Sequence, residues 1–185
     1  MKRFPIPLLL CVLAGCAARR EPLPVYGQAP DFELVAETGQ PFHGRSLAGR
    51  IWVADFIFTT CTGPCPRMSS LMRQVQAGSA GLPNVRLVSF TVDPQRDTPE
   101  VLSAYAKRYS AQPGRWHFLT GNAETLHHLK REVFKLGSVD GSLNHSTRLV
   151  LVDARGRVRG YYGTDEDSPV RRLLTDIRRV LAESS

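Results

Sequence analysis

Two cysteines, Cys61 and Cys65, are separated by Thr62, Gly63 and Pro64 and stand where an apolar run, Ile51 to Phe58, gives way to an amphipathic one, Arg67 to Gln76. The first run is rich in β-formers and the second has helical spacing, which predicts a buried strand, a loop and a helix. Pro66 suits the first helical turn, where a missing N–H is no loss. Both sulfurs are therefore expected at or just before a helix N-terminus, whose partial positive charge favours thiolate over thiol. A thiolate pair has two chemistries open to it. It binds soft metals, or it attacks and re-forms disulfides, with Cys61 the attacking sulfur.

The elements that must position this pair follow from the rest of the pattern. Asp31 to Val35 and Gln40 to Phe42, on either side of Glu37-Thr38-Gly39, read as a hairpin. Ile51 to Phe58 is a central strand, continuous enough in apolar residues to be covered on both faces, and Val85 to Val92 is a second. Thr98 to Tyr109 reads as a helix, Trp116 to Leu119 as a strand and Ala123 to Val133 as a helix. Thr147 to Val152 and Val158 to Tyr162 form a hairpin around Asp153-Ala154-Arg155-Gly156, and a terminal helix follows.

The N-terminus carries a different message. Lys2 and Arg3, the apolar stretch Leu8 to Leu13 and the ending Leu13-Ala14-Gly15-Cys16 read as an export signal, too short to span a bilayer permanently. The ending resembles the bacterial lipoprotein processing box, which implies that residues 1–15 are removed and that Cys16 is acylated. The expected product is a membrane-anchored lipoprotein on the extracytoplasmic, periplasmic face, with residues 16–29 as a proline-bearing tether and residues 30–185 as one domain. Cys11 leaves with the signal, so Cys61 and Cys65 are the cysteines left for chemistry. Outside the cytoplasm such a pair is prone to oxidise to a redox-active disulfide unless a reductant or a metal protects it. A structural staple closing so short a loop would constrain the unfolded chain little.

The formal charge of +7 over 185 residues falls to +5 without Lys2 and Arg3. Part of it lies in Arg171, Arg172, Arg178 and Arg179, which alternate with Leu173, Leu174, Ile177 and Val180 as the solvated face of a helix. Nucleic acid is no partner for an exported, lipidated chain.

A β-α-β-α-β start, a closing hairpin and a last helix, with paired cysteines after the first central strand, suggest a thioredoxin-like α/β fold: a central mixed sheet flanked by helices, with an N-terminal hairpin. Two features depart from the usual oxidoreductase. Three residues separate the cysteines where two are usual, and the neighbourhood expected to carry a cis-proline reads Asn144-His145-Ser146-Thr147-Arg148. Two thiolates and one imidazole, Cys61, Cys65 and His145, form a soft three-coordinate set that suits copper in either oxidation state. Structural zinc normally takes four closed protein ligands, and no further cysteine remains to close this set.

Four ordered blocks then resemble one known family. Cys61-Thr62-Gly63-Pro64-Cys65-Pro66, Asp93-Pro94-Gln95-Arg96-Asp97-Thr98-Pro99, Trp116 to Gly121, and His145-Ser146 followed by Leu151-Val152-Asp153 are similar to the signature blocks of the Sco/SenC proteins. The resemblance, spanning Pro30 to Leu181, implies copper binding through Cys61, Cys65 and His145. It further implies assistance in assembling the dinuclear copper centre of cytochrome c oxidase, whose copper-centre subunit would be the partner, with a copper donor protein upstream. Asp93 is implied as an auxiliary group for copper or for docking. Thr62-Gly63 departs from the Pro-Asp common in the family, and a lipid anchor replaces the common membrane-spanning helix.

Other residues read more plainly. Asp97 or Thr98, before Pro99 and Glu100, is a helix cap. Met68 and Met72 join Leu71 and Val75 in an apolar stripe, and His43, His117, His127 and His128 have no ligand spacing with the cysteines. Phe58 shields the pair. An enzyme reading, a thiol-disulfide reductase keeping a partner's copper-ligand cysteines reduced, uses the same pair and does not need His145. A thiol peroxidase fits less well, because Asp55 and Phe58 stand where its pattern wants proline and a hydroxyl.

Overall fold

The computed structural model describes residues 21–136 and 147–183. The chain runs β1 (Gly27–Gln28), β2 (Glu33–Ala36), β3 (Pro41–His43), β4 (Ile51–Ile57), α1 (Pro64–Gly78), β5 (Val85–Thr91), α2 (Pro99–Arg108), β6 (Trp116–Thr120), α3 (Ala123–His128), β7 (Arg148–Val152), β8 (Arg157–Gly163) and α4 (Pro169–Glu183). The strands form one mixed sheet in the order β1-β8-β7-β4-β5-β6-β2-β3. This is the thioredoxin-like α/β arrangement expected from the sequence, with the β2–β3 hairpin at one margin.

β4 is the central strand, parallel to β5 and antiparallel to β7. All seven of its residues are buried, because helices or loops cover both faces. Ile51, Val53 and Ile57 face a core that contains Met68, Met72, Leu102 and Ile177, so the methionines are packing residues as expected. Trp52, Ala54 and Phe56 face the other core, with Phe90, Leu119 and Phe134.

The helix expected over Ala123 to Val133 changes its winding partway. α3 ends at His128 and continues as a π turn over Leu129–Val133, with the Phe134 N–H donating to the Leu129 carbonyl at 2.9 Å. The wider turn brings Leu129, Val133 and Phe134 together into the core. Phe134 packs against Trp52, Phe56 and Phe90 with ring centroids 5.8, 5.7 and 6.0 Å away.

The stretch expected as a free tether is, from Glu21 onward, held against the domain. Tyr26 donates its N–H to the Val158 carbonyl at 2.9 Å and β1 pairs with β8. The reason is Arg159, only 2% exposed in β8. Its guanidinium donates to the Leu23 and Pro24 carbonyls at 2.7 and 3.2 Å, to Asp153 at 2.9 Å and to Glu183 at 2.5 Å. A buried cation must find acceptors, and this segment supplies two of them.

Asp153 anchors the same network. It accepts from the Arg155 and Arg157 N–H groups, each at 2.9 Å, and from both the Arg157 and Arg159 side chains. Burial works to raise its pKa, but these donors outweigh it and hold the carboxyl below its ordinary 3.8. Its stabilising contribution is thus complete at neutral pH and is lost as pH falls below 4. Asp153→Ala is expected to cost about 3 kcal/mol, because it strips a buried guanidinium of one of its two carboxylate partners; urea unfolding at pH 7 measures the loss.

Candidate thiol and metal site

The chemistry is concentrated where β4 ends. β4 and β5 are parallel and finish together, with Ile57 beside Thr91, and β7, antiparallel to β4, begins at this same edge with Arg148. Cys61 follows β4 by a short turn in which its N–H donates to the Phe58 carbonyl at 3.2 Å. Helix α1 opens at Pro64 after Gly63, which supplies no side-chain cap, so Cys65 lies within the first helical turn.

The two sulfurs differ. Neither is in a disulfide, but Cys61 is half-buried whereas Cys65 is fully buried in the core. The expectation that the helix terminus makes both of them thiolates is corrected for Cys65. Burial pushes its thiol up from 9.0 to about 12, helped by a hydrogen bond to Cys61 and by the charges of Cys61 and Asp55, while the Phe58 backbone opposes the rise. The helix-terminus effect, ~1 kcal/mol or less, does not offset the removal of water. Of the two sulfurs, Cys61 is the one nearer solvent.

Asp97 holds the loop that carries Cys61. The expected capping role belongs to Thr98 alone, whose hydroxyl accepts from the Val101 N–H at 3.4 Å. Asp97 is instead fully buried and accepts from the Thr59 N–H at 3.2 and 3.3 Å, from the Thr59 hydroxyl and from the Thr91 hydroxyl. It thereby fastens the Thr59-Thr60 turn to the end of β5.

Asp93 lies just past β5 on the cysteine edge, with its N–H bonded to the Thr91 hydroxyl at 2.9 Å. Its carboxylate accepts from Arg96 at 2.8 Å. Any metal it assists must compete with that guanidinium. His145 and Cys16, the third expected ligand and the expected acylation site, lie outside the described residues. Among the described residues, no group of three or more His, Cys, Asp or Glu side chains is placed to hold a metal ion. His117 and His43 instead approach Glu37 and Glu33, at 3.7 and 3.9 Å.

Asp55 is a residue of the site that sequence reasoning did not assign. It alternates with Val53 and Ile57 on the face of β4 toward α1, fully buried, and neither carboxyl oxygen makes a hydrogen bond. Burial pushes its pKa from 3.8 to about 7, against a lowering influence of the neighbouring Ser89 hydroxyl. Its charge also acts on Cys65. The available signal was an acid at an inward position of an otherwise apolar strand.

Fold and site together define a thioredoxin-like protein whose paired thiols stand at the strand–helix junction. The family model described as SCO1/SenC matches residues 23–182, and the chain belongs to that family. A relative from Stutzerimonas stutzeri called a putative copper-binding protein is 35% identical over 147 residues, 75% of this chain and 71% of the relative. A crystal structure of a SCO1/SenC family lipoprotein from Bacillus anthracis str. Ames matches with a TM-score of 0.76 and 31% identity, covering 84% of this chain and 95% of that one. The structure of BsSco, described as a member of the Sco family of cytochrome c oxidase assembly proteins and as containing a disulfide switch, matches with a TM-score of 0.76 and 29% identity, covering 86% and 97%.

The Asp55 carboxyl makes a pH-dependent prediction. Because its folded pKa is raised, wild-type stability falls as pH rises from about 4 to about 7 and is constant above. Relative to Asp55→Asn, wild type is expected to lose up to about 4 kcal/mol across that window, read by urea unfolding at several pH values.

Proposed function

We propose that this chain is an extracytoplasmic copper chaperone that binds copper through Cys61, Cys65 and His145 and assists assembly of the dinuclear copper centre of cytochrome c oxidase. The observation that carries the reading is the cysteine pair, in no disulfide, at the helix N-terminus of a Sco/SenC chain, one sulfur half-exposed and the other sunk in the core. Two sulfurs and an imidazole are the soft donor set that copper takes. The relative named as copper-binding and the similar structure described as an oxidase-assembly protein support the same assignment. Copper is cargo here. It reaches Cys61 first, and the partner, the copper-centre subunit of the oxidase, withdraws it from the same side by ligand exchange; a copper donor protein loads it.

The chain is anchored by acylation of Cys16, a reading supported by the Leu13-Ala14-Gly15-Cys16 sequence and by the similar structure being of a lipoprotein. Among the described residues no helix is long and apolar enough to cross a membrane.

The rival enzyme, a thiol-disulfide reductase, would use Cys61 as attacking thiolate and Cys65 as the resolving thiol, and would tolerate loss of His145. The reduced chain is expected to bind one copper ion with a strong thiolate-to-Cu(II) charge-transfer band that His145→Ala abolishes or shifts. If the variant matches wild type and the pair exchanges disulfides readily, the reductase reading replaces the chaperone. Asp93 offers hard oxygen and therefore favours Cu(II). Asp93→Ala is expected to weaken Cu(II) binding more than Cu(I) binding in competition titrations with a chelator for each ion.

A further inference from the structure

The edge of the sheet opposite the cysteines carries a charge pattern that the copper site does not use. β4, β5 and β6 start there, α1, α2 and α4 end there, and the β7–β8 turn closes it. This placement gathers Arg50 before β4, Arg86 at the start of β5, Arg108 and Arg115 at the two ends of the α2–β6 connection, Arg155 in the β7–β8 turn and Arg178 in the last turns of α4. None of the six makes an ion pair among the described residues. Arg86 and Arg115 rest on backbone carbonyls, of Pro83 and Val85 in one case and of Ser79 and Ala80 in the other. Burial, followed by the charges of Arg50 and Arg115, holds the Arg86 pKa below its ordinary value, which marks these cations as close neighbours.

Of the carboxylates nearby, Glu21 is exposed and three are held by other arginines. Asp153 is taken by Arg157 and Arg159, Asp176 by Arg179, and Glu183 by Arg159. At the cysteine edge the charges are mixed, with Asp165, Asp167 and Glu100 exposed alongside Arg67, Arg148 and Arg171.

The chain's N-terminal segment comes in at this basic edge. The Glu21 carbonyl accepts from Arg179 at 2.8 Å, and the Leu23 N–H donates to Glu183 at 3.1 Å, both beside the C-terminal end of α4. From Cys16 to Glu21 the chain reaches at most about 18 Å, even fully extended. That stretch includes Arg19 and Arg20, two more cations. An acyl anchor on Cys16 therefore keeps this edge near the headgroups, while α4, about 22 Å long, separates it from the edge where Cys61 stands.

We propose that the edge formed by Arg50, Arg86, Arg108, Arg115, Arg155 and Arg178 seats on an anionic bilayer surface, so that the thiol pair faces away from the membrane. The proposal rests on the anchoring of Cys16 for its orientation. The surface itself stands on the unpaired cations and on the place where the chain comes in. Anionic phospholipid headgroups are the matching partner, because they present a dense negative surface at the distance the tether permits.

The experiment uses the full chain carrying Cys16→Ser, which has no acyl chain, in co-sedimentation with vesicles. Phosphatidylcholine vesicles measure any apolar binding of Leu8 to Leu13, and phosphatidylcholine–phosphatidylglycerol vesicles add the charge. Binding to the anionic vesicles is expected to exceed binding to neutral ones by roughly tenfold or more, and to fall as salt rises. Arg108→Glu/Arg155→Glu/Arg178→Glu is expected to remove the excess. Arg67→Glu/Arg73→Glu/Arg171→Glu, with the same change in net charge elsewhere, retains most of it, and circular dichroism checks that both variants fold. No preference for anionic vesicles, which would leave an acidic protein as the matching partner, overturns the proposal; so does equal loss in the two triple variants. The mass of membrane-extracted wild-type protein reports acylation of Cys16 separately, so failure of the anchor and failure of the surface are read apart.

Discussion

The arrangement of the site depends on one buried carboxylate. Asp97 has no exposure to solvent and takes hydrogen bonds from the backbone and hydroxyl of Thr59 and from the hydroxyl of Thr91. These join the turn leaving β4 to the end of β5, the two strands whose parallel pairing fixes where Cys61 can lie. Charge-assisted bonds in a dry site are strong and directional. The loop that carries Cys61 is therefore held from below, while Cys61 itself stays half-exposed.

The same dry interior makes the two cysteines unequal. Cys65 projects into the core that Met68, Met72 and Ile57 fill, and the loss of water there outweighs the pull of the helix terminus toward thiolate. Asp55, buried on the same face without a hydrogen bond, adds its charge to that environment. A metal bound by this pair meets one sulfur that is reachable and one that deprotonates on binding. Such a division suits a site that loads and unloads through one side, because exchange can begin at Cys61 without disturbing the core.

Topology assigns the two ends of the domain to different work. In an open sheet with parallel central strands, the carboxyl edge is where loops converge to form sites, and the cysteines and Asp93 lie there. The amino edge receives the N-terminal segment and the unpaired arginines. Arg159 couples that segment to the body of the domain through Leu23, Pro24, Asp153 and Glu183. The segment at Leu23 and Pro24 is consequently held against the body of the domain.

Much of this was legible in the chain itself. The apolar continuity of Ile51 to Phe58, the helical spacing after Cys65 and the turn residues at Asp153 to Gly156 specify the strand–helix order, because period and turn chemistry are local properties. Cysteine spacing and the ordered family blocks pointed to the Cys61–Cys65 pair and to the family. The sequence could not assign Asp97, since capping and a long-range bond to Thr59 call for the same residue type. Nor could it show that Cys65 is sunk in the core while Cys61 is only half-buried, or mark Asp55 as buried without a hydrogen bond, because burial is set by elements distant in the chain. The π turn before Phe134, the docking of Glu21 to Gln28 and the gathering of arginines from distant parts of the chain were likewise decided only by tertiary structure. Each depends on which strand ends the sheet brings side by side, and pairing across the sheet leaves no local mark in the sequence.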